Sequence, residues 1–154
     1  MISSPCSPGS PGHTIQVLGA ILLLAATASC QKTARSLPPG PAKVSVAMSE
    51  NRFAYQPPRS TGRVVFEARN EGHVDHELVL VIVPEDLPPL DEQLRSGTRR
   101  VIATLASVPR RQPGRRGTFA VDLEPGRYGI ICFVQDADGV QHAQKGMSSE
   151  FRLR

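Results

Sequence analysis

The segment His76-Glu-Leu-Val-Leu-Val-Ile-Val83 constrains this chain more than any other. It is almost wholly apolar and rich in β-branched residues, so it reads as a strand, with apolar residues at both parities. Such a strand needs cover on both faces, which makes it the central strand of a layered fold. Shorter strands are readable around it. Val44, Val46 and Met48 alternate with Ser45, Ala47 and Ser49, the period-two pattern of a half-buried strand. Arg63 to Arg69 reads as a second strand, with Asn70-Glu-Gly72 as its turn. Thr118 to Leu123, Glu124-Pro-Gly126 and Arg127 to Val134 read as strand, turn and strand, and Glu150 to Arg154 as a short last strand. Asn51 to Ser60 reads as irregular, with Phe53 and Tyr55 plugging one end of the core.

Between Pro84 and Gly117 the β rhythm breaks. Pro88-Pro-Leu-Asp-Glu-Gln-Leu-Arg-Ser-Gly97 has Pro and acidic residues at its start and Gly past its end, the punctuation of a short helix. Val101 to Val108 is readable as strand or irregular chain. Fourteen Pro and thirteen Gly fit many turns better than long helices. The expected fold is an all-β Greek-key sandwich with one helical or irregular excursion, preceded by an N-terminal signal segment.

That signal segment is legible on its own terms. Ile15 to Ser29 is an apolar run of roughly 20 Å as a helix, short of the roughly 30 Å hydrocarbon layer, and so reads as the core of a signal peptide. Small residues leading into Cys30 resemble a bacterial lipobox, in which that Cys is diacylated and becomes the mature N-terminus. Thr27 departs from the Leu or Val usual in that motif, and cleavage after Ala28 is the alternative. Gln31 to Pro41 is a polar, Pro-rich tether. The expected organisation is a signal over 1–29, a tether over 30–41 and one domain over 42–154. The expected location is the bacterial cell envelope, exported and lipid-anchored. Lys and Arg exceed Asp and Glu by four, and all eighteen basic residues lie at or beyond Lys32.

With Cys6 removed and Cys30 acylated, Cys132 is the only thiol of an exported domain, where disulfides would be the usual use of Cys. It is followed by His142 and Met147 across one loop, and His76 heads the apolar strand upstream. Two His, one Cys and a distant Met form a soft, mixed donor set suited to copper cycling between Cu(I) and Cu(II). A buried hydrophobic Cys is the plainer reading of Cys132. Tyr128, Ile130 and Cys132 share one strand face by the period-two rule. Gln135-Asp-Ala-Asp-Gly139 has the turn chemistry to reverse the chain toward His142. Asp136 and Asp138 read as turn formers, because the further acids of a calcium loop are missing. The pairs Arg99-Arg100, Arg110-Arg111 and Arg115-Arg116 read first as a solvated loop, and otherwise as a surface for an acidic redox partner or anionic lipid headgroups. No aromatics interleave them, which argues against nucleic acid. There is no Gly-rich phosphate loop, no paired CxxC and no Ser/His/Asp arrangement of recognisable spacing.

Three segments carry a resemblance to the plastocyanin/azurin-like cupredoxins, and specifically to exported bacterial cupredoxin-like lipoproteins, over about residues 42 to 154. Asn70-Glu-Gly-His-Val-Asp-His-Glu77 resembles the segment in which an Asn/Gly turn precedes the first His ligand. Glu124-Pro-Gly-Arg-Tyr-Gly-Ile-Ile-Cys132 resembles the Pro-Gly-x-Tyr-x-x-x-Cys approach to the thiolate. His142-Ala-Gln-Lys-Gly-Met147 has the His-to-Met spacing of plastocyanins. The resemblance implies His76, Cys132 and His142 as the strong trigonal ligands of one copper ion, with Met147 axial. His73 competes with His76, which is preferred because it directly precedes the strand. Nine residues separate Cys132 from His142, longer than in plastocyanin or azurin and comparable to copper nitrite reductases. Those enzymes place a His before the Cys, where this chain has Ile131, and a two-copper centre needs a second Cys. The implied function is a monomeric type 1 (blue) copper protein that carries single electrons between envelope redox proteins and is not an enzyme. The alternatives are a copper carrier or buffer, and an interaction module without metal.

Overall fold

The computed structural model describes residues 40–96 and 103–154. The segment read as a signal, the lipobox Cys30, all but the end of the tether, and the pair Arg99-Arg100 lie outside the described residues. The described chain forms β1 (Ala42–Ser49), β2 (Arg52–Ala54), β3 (Gly62–Asn70), β4 (His76–Ile82), α1 (Leu90–Arg95), β5 (Ala103–Arg111), β6 (Arg116–Leu123), β7 (Gly126–Ile131), a 3-10 turn (His142–Lys145) and β8 (Ser148–Leu153). The strands make two four-stranded sheets, ordered β2-β1-β3-β6 and β5-β4-β7-β8. β1 runs parallel to β3, and the other pairings are antiparallel. The chain crosses between sheets after β3, after β5 and after β6, which is the Greek-key sandwich expected from the strand pattern.

Period-two alternation decides which residues enter the core. Val44, Val46 and Met48 of β1 and Val64, Phe66 and Ala68 of β3 face Leu78 and Leu80 of β4 and Tyr128 and Ile130 of β7 between the sheets. The opposite parity of β4, Val79 and Val81, packs with Val83 under Leu90 and Leu94 of α1 and Ala143 of the 3-10 turn. The apolar run of β4 thus has a partner layer on each face, and α1 is the cover of the second. Gly129 in β7 is required there, because a Cβ would stand 2.5 Å from Leu90 Cδ2.

The turn Glu124-Pro-Gly126 is closed by the tyrosine that follows it. Tyr128 Oη donates to the Glu124 carbonyl at 2.8 Å and accepts from the Glu124 N–H at 3.1 Å. This is the same local economy as the tyrosine corner of other sandwiches. Arg127, on the other parity, is buried and pairs with Glu150 of β8 at 2.8 Å. It also donates to the carbonyls of Pro84, Leu87 and Pro88, so one side chain anchors the excursion that leads into α1.

Three local readings need adjustment. The stretch read as irregular after Asn51 contains the short edge strand β2, whose Phe53 is buried as expected and whose neighbour Tyr55 packs against the core. β7 ends at Ile131, one residue before Cys132. Arg110, Arg111 and Arg116 lie in β5 and β6 rather than in a loop.

Candidate metal centre

His76 begins β4, Cys132 follows β7, and His142 begins the 3-10 turn. β4 and β7 are adjacent, with Val79 opposite Ile131, so the sheet itself places His76 and Cys132 at one end of the sandwich. The stretch between Cys132 and His142 folds back on itself. Gln135 bridges Gln141, Asp136 N–H donates to the Val140 carbonyl at 3.1 Å, and Gly139 N–H donates to the Asp136 carbonyl at 2.9 Å. Four further backbone bonds sew the two ends together. His142 N–H donates to the Val134 carbonyl at 2.8 Å, and Ala143 N–H to that of Cys132 at 2.9 Å. Met147 N–H donates to the His142 carbonyl at 2.9 Å, and Cys132 N–H to that of Met147 at 3.1 Å.

The result is a cluster in which one ligand atom each of His76, Cys132 and His142 lies within 4.8 Å of the others. His76 Nδ1 stands 3.1 Å from His142 Nδ1, and Cys132 Sγ stands 3.5 Å from the same atom. All three residues are buried. Nitrogens about 2.0 Å and a sulfur about 2.3 Å from a shared ion would stand roughly 3 to 4 Å apart at trigonal angles, so these donors fit one metal ion. Met147 is fully buried in the same core cluster as Cys132 and is tied by backbone to both Cys132 and His142.

Asn70 fixes the loop that carries His76. Its Nδ2 donates to the carbonyls of Val74 and Arg111, both at 2.7 Å, and its Oδ1 accepts from the Gly72 N–H at 2.9 Å. Its backbone N–H donates to the Arg115 carbonyl, and its carbonyl accepts from the Gly114 N–H. Gly72 is required where it lies, since a Cβ would come within 2.8 Å of His76 Nε2 and 2.6 Å of Glu50 Oε1. His73 is elsewhere: its side chain is 95% exposed beside Glu50. The His73 N–H donates to Glu50 Oε1, which is the main reason that carboxyl falls to about 2.

Burial shapes the chemistry of the donors. It pushes the Cys132 thiol above its ordinary value, against the N–H groups of Glu77 and Val134, which favour the thiolate. The Glu77 N–H lies 3.5 Å from Sγ. Burial first, and then the neighbouring His142, lowers His76, which favours the neutral imidazole, the form that ligates. His76 Nε2 has no hydrogen-bond partner among the described residues, an orphaned polar atom in a buried cluster.

Two residues with roles here were not singled out as site residues. Glu77 Oε1 accepts the Phe133 N–H at 3.0 Å and so pins the residue after the cysteine to β4. Asp136 is a turn former by sequence, and its Oδ1 also lies 2.9 Å from His142 Nε2. No spacing rule links an Asp in a turn to the ring of a His six residues on.

No protein-family model matches the chain, and no curated protein matches it in sequence. Solved structures do match. Auracyanin from the photosynthetic bacterium Roseiflexus castenholzii, solved in its dithionite-reduced form, superposes with a TM-score of 0.51 at 20% identity, covering 75% of this chain and 99% of that one. Auracyanin B superposes with a TM-score of 0.52 at 20% identity, covering 77% of this chain and 93% of that one. The fold is that of a cupredoxin. In this cupredoxin sandwich the His-Cys-His cluster sits at the end where β4 enters and β7 leaves the sheet. Among the described residues no helix is long and apolar enough to cross a membrane.

Proposed function

We propose that this chain is a mononuclear blue-copper electron carrier of the bacterial cell envelope, held to the membrane by a lipid on Cys30. The observation that carries the reading is the buried convergence of His76, Cys132 and His142 at one end of a cupredoxin sandwich. A copper ion bound there would supply a one-electron couple. His76 and His142 would hold it through Nδ1 and Cys132 through Sγ, and the Met147 thioether would be a further, weaker donor.

The residues around the site account for the rest of the task. β4 carries His76 and β7 leads directly into Cys132, while the N–H bonds from Ala143 to Cys132 and from Met147 to His142 fix the others. Little can move when the charge changes, which favours fast electron exchange. The N–H of Glu77 stabilises negative charge on the sulfur, and burial keeps water away from it. The tether beyond Cys30 would leave the domain free to meet envelope redox proteins. A saturated donor set leaves no open position for a substrate, so catalysis is not part of the reading.

The test is to express the full chain in a bacterium, fractionate the cells and load the recovered protein with Cu(II). Membrane association that is lost in Cys30→Ala, together with an intense blue or green thiolate-to-copper band that is lost in Cys132→Ser, is the expected result. A colourless Cu(II) titration of the wild type would sink the copper reading.

A further inference from the structure

The fold-back between Cys132 and His142 brings a carboxylate against the outer edge of the His142 ring. Asp136 Oδ1 lies 2.9 Å from His142 Nε2. The other oxygen, Oδ2, accepts from Lys145 Nζ at 2.7 Å, and Lys145 also donates to Asp138 Oδ2 at 2.7 Å. A carboxylate oxygen 2.7 Å from an ammonium group is half of an ion pair, so Asp136 is ionised and an acceptor only. A ring nitrogen 2.9 Å from an ionised carboxylate must carry the hydrogen, and a neutral imidazole has only one to place. The lone pair is left on Nδ1, the atom that faces His76 Nδ1 at 3.1 Å and Cys132 Sγ at 3.5 Å.

We propose that Asp136 is a positioning residue of the centre: it locks His142 in the Nε2–H tautomer and aims the Nδ1 lone pair into the cluster, with Lys145 as its brace. The consequence for metal affinity rests on the copper reading; the tautomer does not. The length of the loop thereby acquires a use. The turn from Asp136 to Gly139 both reverses the chain and leaves a carboxylate beyond the ring it delivers. Lys145 closes the device from the far side, because the 3-10 turn that begins at His142 ends on it. His142 is left only 2% exposed, its outer nitrogen covered by its own loop.

Nitrogen chemical shifts of His142 in the metal-free full chain, at about pH 8 and so above the ordinary histidine range, read the tautomer directly. One tautomer, Nε2–H, is expected in the wild type. Asp136→Ala should populate both tautomers and weaken Co(II) or Zn(II) binding by about 10- to 100-fold, the usual cost of losing the partner of a ligating His. Asp136→Asn, whose amide oxygen still accepts, should keep the tautomer and most of the affinity. Lys145→Met, which leaves the ring and its carboxylate in place, should move both readouts in the same direction by less, and keeps the test open should Asp136→Ala fail to fold. An Nδ1–H wild type would overturn the proposal. So would an Asp136→Ala or Lys145→Met protein that leaves both tautomer and affinity unchanged. A wild type that shows the Nε2–H tautomer yet binds no copper would overturn the metal reading and leave the lock standing.

Discussion

Asn70 shows how much of the centre rests on a residue that ligates nothing. It is fully buried and ties the His76 loop to the chain that joins β5 to β6. Replacing it by Ala removes three side-chain hydrogen bonds and strands two part-buried carbonyls and one buried N–H. Each such orphan costs about 1–3 kcal/mol, so Asn70→Ala should lose about 2–4 kcal/mol once the loop relaxes. Urea unfolding of the metal-free protein measures this, and a loss below about 1 kcal/mol would contradict it. Sequence showed Asn70 as a turn residue beside a His and went no further. His76 lies in the donor cluster and His73 is exposed, and the start of the apolar strand is what distinguishes the two in the sequence. Sequence showed Asp136 and Glu77 as a turn former and a strand residue. Their contacts with His142 and Phe133 depend on how the loop closes, which no local pattern records.

Elements were legible where their pattern was regular. β4 announced itself because both parities are apolar, and the structure supplies the two layers that this demands. β2 was missed because three residues at a sheet edge give no period. The segment Glu124-Pro-Gly-Arg-Tyr128 is legible as an approach to the cysteine, and the structure gives each residue of its Arg-Tyr pair a separate task. Tyr128 staples the turn, while Arg127 reaches the opposite way to anchor the Pro84–Pro88 carbonyls and Glu150. Burial raises the Glu150 carboxyl, but the Arg127 guanidinium and the Leu90 N–H more than offset it, and it ends below the usual range. A carboxyl lowered on folding contributes stability at neutral pH and loses it as the pH falls from the ordinary glutamate value of about 4.3 toward the folded value. Arg127→Met should therefore cost about 2–4 kcal/mol at about pH 7, from the unpaired carboxylate and the abandoned carbonyls. The gap from wild type should narrow at about pH 3, where the carboxylate part has gone. Thermal melts of the metal-free proteins at both pH values check it, and a gap that is the same at both would show that Glu150 contributes nothing to it.

At the scale of the molecule, charge is distributed unevenly around the donor cluster. Arg110, Arg111, Arg115 and Arg116 line a cleft with Asp75 and Gln112, and among the described residues none of the four arginines is in an ion pair. Register places this cleft at the metal end, because Arg111 is the cross-strand partner of His76. Two of the three pairs, Arg110-Arg111 and Arg115-Arg116, therefore lie at two strand ends and are gathered by the sheet crossing between β5 and β6. Their spacing along the chain could not show this, because β5 and β6 belong to different sheets. If the electron leaves from this end, an anionic oxidant meets an attractive field and a cationic one does not. Oxidation of the reduced copper protein by hexacyanoferrate should slow as salt is added, while oxidation by a tripositive cobalt complex should quicken or stay level. Exposed charges act over a Debye length of about 8–10 Å, so the contrast should fade above roughly 0.5 M salt. Arg110→Glu with Arg115→Glu should slow the anionic reaction by about tenfold at low salt and leave the spectrum unchanged, since neither residue is a donor. Stopped-flow traces at two salt concentrations decide the matter. Equal rates for both oxidants, insensitive to salt and to the charge reversals, would place the exit for the electron away from the arginine cleft.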